Sequence, residues 1–247
     1  MIDTLRAAAA RLWPVPRLRW LLLAVLLFVA ALPGVAALGL RVYENALIRR
    51  TEAELVAQGA AMAASAALLW PGAVATPLPP QPSRSMPYQE IESGIDLRYS
   101  PVLPERPAAV PAAVPADPDA LAVAARMEPA LEETKRATLA SILLLDGAGK
   151  VLNGRDTGKS LAMLPEVRTA LRGQPATVLR HNDFYQHSSA WGWISRATAI
   201  RLHHARPIKA GGKVVGAVLV SRSASALFRG MWEDRGKIAA GVAAIFA

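Results

Sequence analysis

The stretch ATAIRLHHARPIKAGGKVVGAVLVSRS (residues 197–223) carries the strongest fold signal in the chain. Residues 197–208 alternate between apolar and polar side chains, and residues 214–221 form a run rich in valine and small apolar residues. Between them lies the turn Gly211-Gly212-Lys213. Two such runs joined through a glycine pair are typical of a β-hairpin. The sequence therefore predicts two long antiparallel strands at this end of the chain.

Shorter elements precede this hairpin. Residues 142–146 (ILLLD) are predicted to form a buried strand that turns at Gly147-Ala148-Gly149-Lys150 into a second strand at residues 151–153. A short helix at residues 164–171 should end at Gly173, and residues 176–180 form a further strand. Because hairpins pair their strands antiparallel, the fold class is predicted to be α+β, with helices packed on an antiparallel five-stranded sheet.

The N-terminal region indicates a membrane anchor. Residues 20–40 (WLLLAVLLFVAALPGVAALGL) contain no charge, and a helix needs about 20 apolar residues to cross a bilayer core. The bias of basic residues toward residues 1–19 favours a cytoplasmic N-terminus, which places residues 41–237 outside the cytoplasmic membrane. The alternative is a cleaved signal peptide with small residues at Val35-Ala36-Ala37, but the apolar run exceeds the usual 7–15 residues.

The C-terminal residues predict the start of a second transmembrane helix. Residues 238–247 (IAAGVAAIFA) are apolar, follow Arg235-Gly236-Lys237, and are too short to cross a bilayer as a helix. We therefore expect a second transmembrane helix that continues beyond the sequence, preceded by a helix at residues 223–234. The alternative is a C-terminal helix that docks on its own domain.

Three regions are predicted between the membrane segments. Residues 41–70 read as a stalk helix, since they contain strong helix formers and no proline. Residues 71–118 hold 12 of the 19 prolines and should be extended or irregular. Residues 119–237 form a domain of helices and strands, beginning with a helix that Asp117 or Asp119 could cap and that Pro129 should kink.

Composition excludes several classes of function. The chain has no cysteine, so it has no disulfide, thiolate nucleophile or cysteine-based metal site. No serine-hydrolase, HExxH or phosphate-loop motif occurs, so we assign no catalytic residue and no metal. The net charge is +9, and residues 142–237 alone carry +9, which indicates an anionic partner. The chain contains no nucleic-acid-binding motif, so nucleic acid is not expected as a partner.

The loop at residues 182–196 (NDFYQHSSAWGWISR) is the predicted ligand site, because it gathers aromatic side chains among polar ones. Nearby arginines could bind a carboxylate or phosphate through paired N–H donors, and the aromatics could form the walls. The predicted ligand-binding residues are Arg180, Tyr185, Trp191, Trp193, Arg196, Arg201 and His203. The alternative is a loop whose aromatics are local core and whose arginines are solvated.

The four histidines suggest a metal site only weakly. His181, Asp183 and His187 could provide ligands, with His203 joining from the next strand, but their spacing matches no metal motif. His203 and His204 are adjacent in a strand and should point to opposite faces of the sheet. At most one of them can therefore reach a shared site.

Two long stretches resemble a known family of domains. ILLLDGAGKVLNGRDTGKSLAMLPEVRTALRGQPATVLR (residues 142–180) and the hairpin at residues 197–223 resemble the PDC or Cache type of extracytoplasmic sensor domain, a PAS-like sheet behind a long N-terminal helix. RRTEAELVAQGAAMAASAALLW (residues 49–70) is similar to the first sensor helix of membrane-bound sensor histidine kinases. LRYSPVLPERP (residues 97–107) also resembles a segment of that group.

The resemblance implies a role in signalling. It implies the input half of a two-component sensor histidine kinase in the bacterial inner membrane, with residues 41–237 in the periplasm. Such receptors act as homodimers and pass the signal to a response regulator through a cytoplasmic half, where ATP and Mg would bind. Residues 1–247 contain no catalytic domain and imply no cofactor. The alternatives are the input domain of a chemoreceptor or diguanylate cyclase, or a membrane-anchored binding or scaffold protein of the envelope without an output domain.

Overall fold

The computed structural model describes residues 18–72, 94–182, 199–223, 236–237 and 240. The chain divides into two compact units, Met1–Tyr43 and Glu44–Ala247. Helix α1 (Leu18–Leu69) contributes residues to both units.

In the first unit, the described residues are helical and their large apolar side chains are exposed. The helix continues through Pro33, as transmembrane helices tolerate. By length and composition this helix can cross a membrane, and none of its most apolar window is buried in protein. The structure is therefore compatible with the predicted N-terminal anchor.

In the second unit, α1 buries one stripe of its surface. The buried residues recur at three- and four-residue spacings, as expected for one face of a helix packed on a core. They are Glu44, Ile48, Thr51, Glu52, Leu55, Gly59, Ala63 and Ala66. Side chains of helix α2 (Pro118–Thr138) belong to the same buried core. Of the two predicted caps, Asp117 is the one that acts, since its side chain accepts a hydrogen bond from the Asp119 amide.

The main sheet has five strands in the order β1-β5-β6-β7-β3. They are β1 (Val102–Leu103), β3 (Ser141–Asp146), β5 (Ala176–His181), β6 (Ile200–Ala210) and β7 (Lys213–Ser223). Two further short strands, β2 (Val110–Pro111) and β4 (Lys159–Ser160), pair with each other in a separate sheet. The predicted hairpin is β6–β7, and its two-residue loop has positive φ at both Gly211 and Gly212, as a type I′ turn requires.

The prediction of a purely antiparallel sheet was wrong. Strand β1 runs parallel to β5, while the other pairs are antiparallel. The predicted strand at residues 151–153 is not in the sheet, because only a single bridge joins Leu145 to Val151. The side chain of Asn153 instead forms hydrogen bonds with the backbone of β3. Its Oδ1 accepts from the Leu144 amide, and its Nδ2 donates to the Ile142 carbonyl. The fifth strand comes instead from the proline-rich segment.

Each face of the sheet has its own apolar core. Leu144, Leu202 and Val220 belong to a cluster that also contains side chains of α1 and α2. On the opposite face, Leu219 and Ala205 pack against helix α3 (Pro165–Leu171). Helices therefore cover both faces, and α3 covers only part of the second.

The predicted second transmembrane helix is not shown. Most of residues 238–247, and the predicted helix at residues 223–234 beyond Ser223, lie outside the described residues.

Candidate functional site

The structure places three of the seven predicted ligand-binding residues. Arg180 lies in β5, and Arg201 and His203 lie in β6. The other four, Tyr185, Trp191, Trp193 and Arg196, lie outside the described residues.

A cavity of about 210 Å³ opens on the face of the sheet that carries α3. Its wall combines two arginines, two histidines, a glutamate, an asparagine and two serines with two leucines. The lining residues are Glu105, Arg106, Ser141, Leu143, His181, Asn182, Arg201, His203, Leu219 and Ser221. Two of the predicted residues, Arg201 and His203, are thus brought together in one cavity.

Arg201 is positioned by the neighbouring strand. Its Nε donates to the Ser221 hydroxyl across 3.2 Å, between β6 and β7. Because that bond fixes the guanidinium at Nε, the terminal nitrogens are held at a defined place in the cavity wall. The two long strands thus act as the rigid support of the site.

Arg106 is the cavity arginine that the sequence analysis missed. It lies between β1 and β2, and its Nη2 donates to Asp156 across 3.4 Å. Its Nη1 is buried and has no hydrogen-bond partner among the described residues. A buried guanidinium N–H without an acceptor is costly. Other parts of the Arg106 side chain line the cavity together with Arg201 and His203. The only sequence signal is a charged pair, Glu105-Arg106, between prolines directly after an apolar pair.

His203 forms the buried part of the cavity. Only 3% of it is exposed, and its Nδ1 has no hydrogen-bond partner among the described residues. Burial lowers the pKa of His203 to about 3, and the charges of Arg201, Arg180 and Arg106 add to that effect. The imidazole is therefore neutral at pH 7. Arg106 and Arg201 line the same cavity, and so does Glu105.

Arg180 does not line the cavity, although it was predicted to contact ligand. Its Nε and Nη2 donate to the two oxygens of Glu166 on α3 across 3.0 and 2.9 Å, and both residues are buried. Its Nη1 donates to the Pro104 carbonyl across 3.2 Å. Arg180 therefore anchors α3 and the residues before Arg106 to the sheet.

His204 lies on the opposite face of the sheet from His203, as predicted for adjacent strand residues. Its Nδ1 shares a hydrogen bond with the Thr177 hydroxyl at 2.9 Å, and its ring lies against Gly59 of α1. A Cβ at position 59 would come within 2.9 Å of this ring, so glycine permits the contact. Burial, followed by the charge of Arg206, lowers the pKa of His204 to about 4.

Among the described residues, no group of three His, Cys, Asp or Glu side chains could hold a metal ion. Asp183 and His187, which the metal alternative requires, lie outside those residues. The described cavity can instead offer guanidinium, hydroxyl and amide donors to an oxyanion.

Comparisons with known proteins give matches among solved structures. No family model matches the chain, and no curated protein matches it. Among solved structures, the chain is similar to the sensor domain of the V. cholerae histidine kinase DctB, with 19% sequence identity and a TM-score of 0.34. The similar region covers 44% of this chain and 41% of that one, which is less than half of either.

Proposed function

We propose that this chain is the input half of a two-component sensor histidine kinase whose extracytoplasmic domain binds a small anion. The observation that carries the ligand class is the cavity, where Arg106 and Arg201 lie beside a buried neutral His203. Guanidinium groups bind carboxylates and phosphates through paired N–H donors. The proposed PDC or Cache type of domain rests on the sequence resemblance.

The size of the cavity limits the ligand. Pockets for drug-sized molecules measure roughly 300–1,000 Å³, and this cavity measures about 210 Å³. The proposed ligand is therefore a small carboxylate or phosphate. Tyr185, Trp191, Trp193 and Arg196 remain proposed contacts from the loop that follows β5.

The membrane arrangement is part of the proposal. Residues 1–19 would be cytoplasmic, residues 20–40 of α1 would cross the inner membrane, and residues 41–237 would lie in the periplasm. The helix that can span a membrane supports the anchor. In this arrangement the signal passes to a cytoplasmic half that binds ATP and Mg and acts on a response regulator.

The ligand prediction is tested by binding to the full chain in detergent. Calorimetry with inorganic phosphate, acetate and malonate should identify an anion that binds. Arg106→Ala and Arg201→Ala should each weaken it more than about tenfold, since hydrogen bonds to charged groups contribute about 1.5–3 kcal/mol. Arg136→Ala is the matched control, because Arg136 is an exposed arginine on α2. Unchanged affinity in both cavity variants would contradict the assignment.

The proposed homodimer has its own test. We expect the full chain to be dimeric in detergent at micromolar concentration, as the sensor histidine kinase proposal requires. Light scattering with the detergent contribution subtracted measures the protein mass directly. A chain that stays monomeric over the whole accessible concentration range would count against dimeric signalling.

A further inference from the structure

The segment at residues 94–106, called the strap below, is fastened to α1 at its first residues. The Ile95 amide donates to Glu52 Oε2 across 3.3 Å, and the Leu97 amide donates to Asn45 Oδ1 across 3.1 Å. Between them, Asp96 forms an ion pair with Arg49 at 3.2 Å. The side chains of Ile95 and Leu97 are buried in the same core as those of α1. Three consecutive strap residues therefore bind one stretch of the helix.

The middle of the strap is a closed turn. The Ser100 amide donates to the Asp96 carbonyl across 2.7 Å, and the Asp96 amide donates to the Ser100 hydroxyl across 2.9 Å. The Asp96 carboxylate also accepts from the Arg98 amide, which is the main reason that the pKa of this carboxyl is lowered. These bonds make the strap a short, internally braced link rather than a flexible tether.

The other end of the strap reaches the cavity. Strand β1 pairs with β5 in the register Val102 to Leu179 and Leu103 to Arg180. The Pro104 carbonyl accepts from Arg180, and the next two residues, Glu105 and Arg106, line the cavity. One braced segment thus joins the cavity wall to α1.

We propose that the strap transmits occupancy of the cavity to α1. An anion bound in the cavity beside Arg106 displaces the last residue of the strap, and the displacement reaches Glu52 and Asn45 through the braced turn. Coupling of this kind travels through contiguous bonded groups that both sites bias. This inference rests on the proposed anion-binding function. It states how binding at that site is transmitted to α1.

A second link between α1 and the sheet provides a matched control. Arg222 of β7 donates to Glu54 Oε2 across 2.7 Å, and this ion pair does not involve the strap. Glu52 and Glu54 lie two residues apart on the same helix. Replacing either one by alanine removes the same charge, but only Glu52→Ala removes a hydrogen bond to the strap.

The test measures amide hydrogen exchange of residues 94–100 in the full chain in detergent. With saturating phosphate, acetate or malonate, whichever binds, we expect exchange of the Ile95 and Leu97 amides to change about fivefold, the lower end of typical couplings between sites. Glu52→Ala should weaken that response at the Ile95 amide, which loses its acceptor, and Glu54→Ala should retain it. Asn45→Ala, which removes the Leu97 acceptor, is the second variant if Glu52→Ala does not fold.

A ligand-free measurement separates failure of the strap from failure of the proposed function. Arg106→Ala should speed exchange of the same amides by about fivefold, whereas Arg136→Ala should not. If an anion binds and this exchange does not change, the proposed role of the strap is overturned and the proposal of anion sensing stands. If no anion binds, anion sensing fails. The Arg106→Ala variant then tests whether the strap couples the cavity to α1. Unchanged exchange overturns this coupling, and faster exchange supports it.

Discussion

Replacement of Glu166 by glutamine is expected to destabilise the second unit by about 3–5 kcal/mol, because removing one partner of a buried ion pair leaves the other charge uncompensated. Arg180 is 4% exposed and Glu166 is 1% exposed, so water cannot replace the lost carboxylate. Urea unfolding of the full chain in detergent, followed by tryptophan fluorescence, measures the loss. A loss below about 1 kcal/mol would contradict this prediction, since that is the range of exposed pairs.

The double variant Arg180→Met with Glu166→Leu is the control for packing. Apolar residues of similar volume often replace a buried pair at little cost in stability, so this variant should recover most of the loss. It also removes the hydrogen bond from Arg180 to the Pro104 carbonyl. We therefore expect it to be stable but weaker in binding the anion, because the residues before Arg106 lose their anchor.

The position of Arg180 shows why its role could not be predicted from the sequence. Its partner Glu166 lies on α3, and nothing in the local sequence indicates that this helix packs over the end of β5. Arg180 and Arg201 are also paired across β5 and β6, and like charges placed opposite each other are unfavourable. The Glu166 carboxylate offsets this repulsion, which explains why one arginine is structural and the other remains at the cavity.

Local signals predicted the β6–β7 hairpin correctly. Alternating side chains and the Gly211-Gly212 pair specify strands and turn within about 25 neighbouring residues. The same signals predicted that His203 and His204 face opposite sides of the sheet. By contrast, β1 has only two residues and pairs with a strand far along the sequence. Such a pairing depends on tertiary context, so Arg106 and the strap could not be found from pattern alone.

Acidification from pH 6.5 to pH 5 is expected to destabilise the second unit steeply. The pKa values of His203 and His204 are about 3 and about 4 in the folded protein, against 6.5 for a free histidine. Between these values the unfolded chain binds more protons than the folded one, so the free energy of unfolding rises with pH. The stabilisation is complete above pH 6.5 and is lost as the pH falls. Two such groups give a slope of about 2 kcal/mol per pH unit below pH 6.

The charges of nearby arginines oppose protonation of each histidine. His203 faces Arg201, Arg180 and Arg106, and His204 faces Arg206, so protonation adds positive charge to positive charge. The carboxyl groups of Asp96, Glu132 and Asp156, whose pKa values are lowered, do not disturb this window. The pKa values of Asp96 and Asp156 are lowered from 3.8, so the stabilisation that they provide is lost only at more acidic pH.

Urea midpoints of the full chain at several pH values between 5 and 7 measure the slope. His203→Asn and His204→Asn should each reduce it by about half, and the double variant should nearly abolish it, because each histidine contributes about one proton. His204→Asn changes the contact with Gly59 of α1, whereas His203→Asn changes the cavity wall. Equal losses of slope from both variants would therefore reflect protonation rather than packing. A wild-type stability that stays flat between pH 5 and pH 7 would show that the folded protein protonates both rings, which is incompatible with their burial among arginines.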